Sequence, residues 1–151
     1  MEPNELYAKE LRKSRWLALA LLVAAPLIYL IVALVLSMPP VVGGEQDMMF
    51  YILWIVALIE PAMGLVIERV QVSLYRGRRE SAMQPAQLFT SISLIKMAMT
   101  EAVYIFGLVV YLMSGDIARM LAFYPLGVIW SLIYWPRQGA VDRFRTRLEA
   151  R

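Results

Sequence analysis

Four long runs of apolar residues, separated by short polar segments, dominate the pattern of the chain. Each run is long enough for an α-helix to cross the hydrocarbon core of a bilayer, which takes about 17–25 residues. The pattern therefore predicts an all-α integral membrane bundle of four transmembrane helices, in a single domain of residues 1–151. The predicted spans are residues 16–36, 48–67, 88–113 and 117–135.

Composition supports this class and excludes others. Of the 151 residues, 60% are hydrophobic and 18% are charged, against roughly 45–50% and 25% in a soluble domain. The chain contains no cysteine and no histidine, which removes thiolate chemistry, the commonest metal ligand and the commonest general base. We predict no cofactor and no metal site, and the composition disfavours an enzymatic activity of the chain by itself.

The basic residues are distributed unevenly. Thirteen of the fifteen lysines and arginines lie in the N-terminal segment, in the loop after the second span and in the C-terminal tail. By the positive-inside rule, this predicts that both termini are cytoplasmic in a multi-pass protein of the cell (inner) membrane. We expect the bases at the membrane surface to attract anionic lipids of the inner leaflet, at about 1 kcal/mol per base, and we expect no nucleic acid partner. These surface bases are Arg76, Arg78, Arg79, Arg143, Arg145 and Arg147.

Residues 136–151 form a basic tail with its own pattern. Val141, Phe144 and Leu148 recur at helical spacing between arginines. This spacing is typical of an amphipathic helix that lies in the membrane interface, so we predict a short cytoplasmic helix on the inner leaflet. A helix that docks onto a partner would have the same spacing.

Three residues with ionisable side chains lie well inside the predicted spans: Glu60, Lys96 and Glu101. A charge at the bilayer centre costs about 2.5–3.5 kcal/mol, so each needs a partner, a proton or a water-filled path. At a rise of 1.5 Å per residue, Glu60 lies about 10 Å and Lys96 about 12 Å from the cytoplasmic ends of two antiparallel spans. We therefore predict an intramembrane ion pair between Glu60 and Lys96.

Glu101 lies deeper, at about 20 Å, and has no assigned base. Its separation from Lys96 corresponds to about 140° around the helix, so the two side chains do not share a face. Glu101 borders a polar stripe that includes Thr100 and Tyr104, and we predict that these three residues bind an ion. The stripe either lines an aqueous path or joins helices through hydrogen bonds, and both interpretations agree with the spacing.

Two short motifs mark the third span and the loop before it. Gln84 and Pro85 precede the span, and residues 100–110 read TEAVYIFGLVV. These motifs, within residues 76–113, resemble the polar loop and outer helix of the c (or K) proteolipid subunits of rotary ATP synthases. In that family a membrane carboxylate carries the transported H⁺ or Na⁺, so the resemblance implies this role for Glu101. The overall layout is also similar to small four-span bacterial membrane proteins of unknown function.

Three classes of function agree with these features. The first is a c/K-like component that translocates H⁺ or Na⁺ through Glu101. The second is a non-catalytic accessory or assembly subunit of a larger membrane complex, whose partners are other membrane subunits or further copies of the chain. The third is a small dimeric four-span exporter, which is the least favoured because small multidrug exporters carry their carboxylate in the first span, and that span has none here.

Overall fold

A computed structural model describes residues 3–41, 44–77 and 84–149, and within these ranges it contains helices and no β-strand. Four stretches are long and apolar enough to cross a membrane: Glu5–Leu36, Gln46–Gly77, Pro85–Ser114 and Ile117–Tyr134. They confirm the prediction of an all-α protein with four apolar helices of spanning length. In chain order the elements are α1 (Pro3–Leu19), a π-helical turn (Ala20–Ala24), α2 (Ala25–Leu36), α3 (Gly44–Gly77), α4 (Pro85–Ser114), α5 (Ile117–Leu121), α6 (Tyr124–Tyr134) and α7 (Gln138–Glu149).

The helices differ from the predicted spans mainly at their ends. α3 continues to Gly77, well beyond the predicted end at residue 67. The extension is stabilised by tertiary contacts, because Val72 and Tyr75 pack in an apolar cluster with α1, α4 and α7. α1 likewise begins at Pro3 rather than at residue 16, and its Leu11 is buried in the same cluster. Hydropathy marks the apolar middle of these helices and misses their polar ends.

Prolines account for the interruptions in the first and fourth spans. Pro125 lies in the first turn of α6, where its missing N–H costs no hydrogen bond. The predicted span 117–135 is therefore divided by a turn at residues 122 and 123. Pro26 lies in the first turn of α2, directly after the π-helical turn. Pro61, in contrast, lies inside the continuous helix α3.

α4 is the central helix and packs against α1, α2, α3, α5 and α6. Its buried side chains recur every three or four residues, which is the spacing of one helix face. From the middle of the helix to its end, the buried residues are Ser93, Met97, Thr100, Val103, Tyr104, Gly107, Val110, Tyr111 and Ser114. Hydroxyl groups are frequent on this face, so the packing of the bundle depends on where they bond.

The two ends of the bundle differ in charge. At one end, which we call the basic end, α1 begins, α3 ends, α4 begins and α7 packs. At the opposite end Arg119 pairs with Asp47 at 2.6 Å and with Asp116 at 3.3 Å. The chain turns there at Gly115, which has a φ of 65° and at which a Cβ would lie 2.2 Å from the carbonyl oxygen of Pro39. Only glycine fits this close contact between the α2–α3 connection and the end of α4.

α7 docks on the basic end through the apolar face that the sequence analysis placed on the inner leaflet. Val141 and Phe144 are 1% and 3% exposed, and they belong to one cluster with Leu11, Val72 and Phe89. The rings of Phe89 and Phe144 meet edge to face with centres 5.5 Å apart. The prediction that this apolar face meets lipid is therefore wrong for Val141 and Phe144, because the chain's own helices cover them.

Gly127 on α6 lies against the ring of Tyr104, so we expect a larger side chain at this position to destabilise the protein. A Cβ at this position would lie 2.4 Å from Cζ of Tyr104, whose side chain is 2% exposed. We expect Gly127→Ala to lower the free energy of unfolding by about 1–3 kcal/mol, the usual cost of overpacking. Unfolding in detergent measures the change. Gly139→Ala is the matched control, since nothing lies within 4 Å of its Cβ position, and equal stability of the two variants would contradict the prediction.

Candidate functional site

Glu101 lies on α4, in a segment of membrane-spanning length, and contacts α2. The hydroxyl of Tyr29 donates a hydrogen bond to Oε1 of Glu101, with an oxygen–oxygen distance of 2.6 Å. Within the described ranges, no lysine or arginine forms a salt bridge with Glu101. The carboxyl group therefore meets a neutral donor instead of a cation.

The two residues predicted to bind an ion with Glu101 direct their hydroxyl groups elsewhere. Thr100 is fully buried, and its Oγ1 donates to the carbonyl oxygen of Lys96 at 3.0 Å, one turn earlier in the same helix. The hydroxyl of Tyr104 lies 3.3 Å from Oγ of Ser131 on α6. Tyr29, rather than Thr100 or Tyr104, supplies the hydroxyl group at the Glu101 carboxyl.

The residues around Tyr29 connect α2, α4 and α6. Tyr124 on α6 donates its hydroxyl to the carbonyl oxygen of Pro26 at 2.8 Å, about one turn before Tyr29. The ring of Tyr124 also meets the ring of Tyr104 edge to face, with centres 5.2 Å apart. The position of α2, and with it the position of the Tyr29 hydroxyl, is thus tied to both α4 and α6.

Lys96 pairs with Glu68 of α3, which corrects the predicted pair with Glu60. Nζ of Lys96 contacts Oε2 of Glu68, and the side chains are 15% and 12% exposed. The depth comparison for Glu60 depends on an end of the second span at residue 67, whereas α3 continues to Gly77. The longer helix moves the position opposite Lys96 by about two turns, from Glu60 to Glu68.

Glu68 connects further helices at the basic end. Its Oε1 accepts a hydrogen bond from Arg147 of α7. Lys96 lies 5.2 Å from the ring centre of Tyr134 on α6, and Tyr134 donates its hydroxyl to the carbonyl oxygen of Pro61 on α3. One largely buried carboxylate and its partners therefore hold α3, α4, α6 and α7 together.

Glu60 is half-buried on α3, and among the described residues no hydrogen bond or salt bridge joins its side chain to either group. Its Oε2 is buried and has no hydrogen-bond partner among the described residues. A buried charge without a partner is costly, so an ionised Glu60 would be poorly compensated at this position. Glu60 differs from Glu101 in lacking a donor at its buried oxygen.

The bases predicted at the membrane surface lie mainly on exposed positions. Arg145 is partly buried, with its guanidinium 5.2 Å from the ring centre of Tyr7 on α1. Arg78 and Arg79 lie outside the described residues. The exposed bases are Arg76, Arg143 and Arg147.

Two residues of these sites have no counterpart in the sequence analysis: Tyr29 and Glu68. Tyr29 is a hydroxyl-bearing residue in a strongly apolar run, and an inspection of all polar groups, rather than of charges alone, would have found it. Glu68 falls just beyond the predicted second span. Val72 and Tyr75 follow it at the four- and seven-residue spacing of one helix face, which is the signal for a longer α3.

Comparisons of the chain with protein-family models, with curated proteins and with solved structures find no match. The function is therefore inferred from the geometry of the polar residues within the four apolar helices. The contact that bears most directly on it is the one between Tyr29 and Glu101.

The salt bridge of Lys96 with Glu68 predicts energetic coupling between the two residues. We expect Lys96→Met and Glu68→Gln each to destabilise the protein, because Glu68 then keeps Arg147 alone, or Lys96 keeps no acidic partner among the described residues. The double variant should be more stable than the sum of the single effects, by about 0.5–3 kcal/mol. Unfolding in detergent measures the cycle. The control cycle of Lys96→Met with Glu60→Gln should be additive within about 0.5 kcal/mol. Coupling to Glu60 without coupling to Glu68 would refute the assignment.

Proposed function

We propose that the protein is a small ion-handling component of the cell membrane in which Glu101 takes up and releases H⁺ or Na⁺. The observation that carries this proposal is the hydrogen bond from Tyr29 to Glu101, between α2 and α4. A carboxyl group with a neutral partner can bind a cation or a proton without first breaking a salt bridge. Ionisable residues in this position in other membrane proteins commonly mark ion pathways.

The Tyr29 hydroxyl suits both candidate ions. A phenol donates a hydrogen bond to an ionised carboxylate, and it can accept one from the protonated acid. Its oxygen can also join a carboxylate oxygen around a hard cation, which prefers oxygen ligands. The resemblance to c/K proteolipid subunits assigns the ion-binding role to the same carboxyl group.

Glu101 also lies near the middle of α4, where an ion could reach it from either end of the helix. α4 runs from Pro85 to Ser114, so Glu101 is roughly 24 Å from one end and about 20 Å from the other at 1.5 Å per residue. The first span is interrupted by the π-helical turn shortly before Tyr29. Such turns often occur at functional sites, and a rearrangement here would move the donor relative to the carboxyl group.

Orientation forms part of the proposal. We place the basic end and both termini in the cytoplasm and the Arg119 end outside. The positive-inside rule supports this orientation. The lysines and arginines cluster in sequence segments that adjoin the helix ends of the basic end. A cell-membrane location and this orientation would let Glu101 exchange ions between the cytoplasm and the outer side.

The hydroxyl groups of α4 favour a second candidate, an accessory or assembly subunit of a membrane complex. Thr100 and Tyr104 use their hydroxyls in contacts within the protein, and Tyr111 donates to the carbonyl oxygen of Ala33 at 2.7 Å. Polar groups engaged in this way serve helix packing and leave less polar surface for a water path. Copurification of a defined complex in mild detergent would identify this function.

Ion flux in proteoliposomes tests the first candidate. We expect purified protein to conduct H⁺ or Na⁺, and Glu101→Gln to reduce the flux to background, because the neutral amide takes up no proton and lacks the negative charge that attracts Na⁺. Dicyclohexylcarbodiimide, which attacks protonated carboxyl groups in apolar surroundings, should modify Glu101 and block the flux. Tyr29→Phe should shift the apparent ion affinity by about tenfold, the equivalent of one hydrogen bond to a charged group. Na⁺ should bind more weakly because an oxygen ligand is lost, and H⁺ more tightly because the carboxylate loses a donor.

Glu60→Gln is the matched control, since it makes the same chemical change in the neighbouring span. It should leave the flux within about twofold, because Glu60 lacks the Tyr29 donor. Equal flux of wild-type protein and Glu101→Gln, together with no carbodiimide adduct on Glu101, would refute ion handling and favour the accessory role.

Single cysteines test the orientation, since the chain has no cysteine of its own. Two positions suit a single cysteine. Gly139 is exposed at the basic end, and Ala118 lies in the short helix α5, next to the turn at the opposite end. With a membrane-impermeant maleimide on intact cells, Ala118→Cys should react directly and Gly139→Cys only after permeabilisation. Labelling in the reverse order would overturn the proposed orientation.

A further inference from the structure

A pocket of about 250 Å³ opens at the basic end between α3, α4, α6 and α7. Its charged lining residues are Lys96, Arg137, Arg143 and Arg147 with Glu68 as the one acid. Four positive groups against one negative group leave a formal excess of three positive charges. These bases belong to α4, to α7 and to the connection between α6 and α7, so the pocket presents a cluster of cations.

Among the described residues, two of the pocket's cations have no acidic partner. Glu68 uses its two carboxylate oxygens for Lys96 and Arg147. Arg137 and Arg143 donate to backbone carbonyl oxygens, at 3.5 Å to Leu132 and 3.1 Å to Gly139. Within the described ranges, neither of these two arginines forms a salt bridge. Two guanidinium groups on neighbouring segments are therefore available for an anion, and guanidinium is well suited to phosphate oxygens.

The uncharged lining indicates where the anion comes from. Leu65 on α3 and Ile133 on α6 line the same pocket, and they are 46% and 56% exposed. Both belong to segments of membrane-spanning length, so their exposed side chains face the hydrocarbon in the proposed orientation. Trp135, at the end of α6, also lines the pocket and is of a type enriched at the membrane interface. Bases thus lie beside an apolar wall.

A glycerophospholipid has the matching order of groups, because its glycerol joins a phosphate to two acyl chains. The pocket is smaller than the roughly 300–1,000 Å³ of sites for drug-sized ligands, so it would hold a headgroup while the acyl chains remain in the bilayer. Basic pockets between membrane helices on the cytoplasmic side are known to bind lipid phosphates. We propose that this pocket binds the phosphate of an anionic glycerophospholipid, with Arg137 and Arg143 as the main contacts.

Lipid titration by native mass spectrometry tests the proposal. Full-length protein in detergent is titrated with dioleoyl phosphatidylglycerol and, separately, with dioleoyl phosphatidylcholine, which has the same chains and no net charge. We expect the first bound phosphatidylglycerol to bind at least about tenfold more tightly than phosphatidylcholine. The double variant Arg137→Gln/Arg143→Gln should lose this preference, and Arg137→Lys/Arg143→Lys should retain part of it because the charge remains.

The control is a double variant of equal charge loss, Arg12→Gln/Arg145→Gln. Arg12 is exposed on α1, and Arg145 lies over the ring of Tyr7, so neither lines the pocket. This control should keep the lipid preference. Equal losses in the two glutamine variants would show unspecific attraction and overturn the proposal. Displacement of the lipid by millimolar inorganic phosphate would overturn it as well, because the occupant would then be a soluble anion. Helix content by circular dichroism verifies folding of each variant.

Discussion

The bundle depends on one constraint: the polar groups on the buried face of α4 must find hydrogen-bond partners inside the protein. Hydrocarbon supplies none, and an unsatisfied polar group there is costly. Tyr104 meets Ser131 on α6. Tyr111 donates to the carbonyl oxygen of Ala33 on α2 and accepts from the backbone N–H of Met38, at 2.7 and 2.9 Å. These hydrogen bonds determine which helices pack against α4, because apolar contacts alone discriminate weakly between a protein face and lipid.

The same need for partners divides the ionisable residues of the apolar helices into three kinds, according to what their side chains contact. Lys96 and Glu68 neutralise each other, so their charges are compatible with a permanent structural role. Glu101 has a hydroxyl partner in Tyr29 and no salt-bridge partner within the described ranges, so an ion can bind there without displacing a countercharge. Glu60 has a buried oxygen without a partner in those ranges. The type of partner, more than depth in the membrane, therefore distinguishes a structural charge from a candidate ion site.

Much of the helical architecture could be predicted from the sequence, because a span needs a long apolar run and the chain has four. Glu101 also stands out in the sequence, since carboxyl groups in apolar runs are rare and costly. Its contact with Tyr29 depends on the rotation and axial register of two helices, and one helical turn already shifts a side chain by about 5.4 Å. The change of the Lys96 partner from Glu60 to Glu68 has this origin. Residue type thus identified the groups that need partners, and tertiary structure decided which partners they have.

The position of α7 could not be predicted from its sequence pattern. That position determines how the bases of the C-terminal tail are presented. Val141 and Phe144 have the spacing of a lipid-facing helix, yet they are buried in protein, and spacing alone does not tell two apolar environments apart. On a flexible tail, arginines attract any anionic surface according to net charge. The burial of one face of α7 and the bond from Arg147 to Glu68 instead place these bases on a helix that is docked on the bundle. The bases of α7 are therefore presented by a docked helix instead of a free tail, and the proposed phospholipid site requires this arrangement.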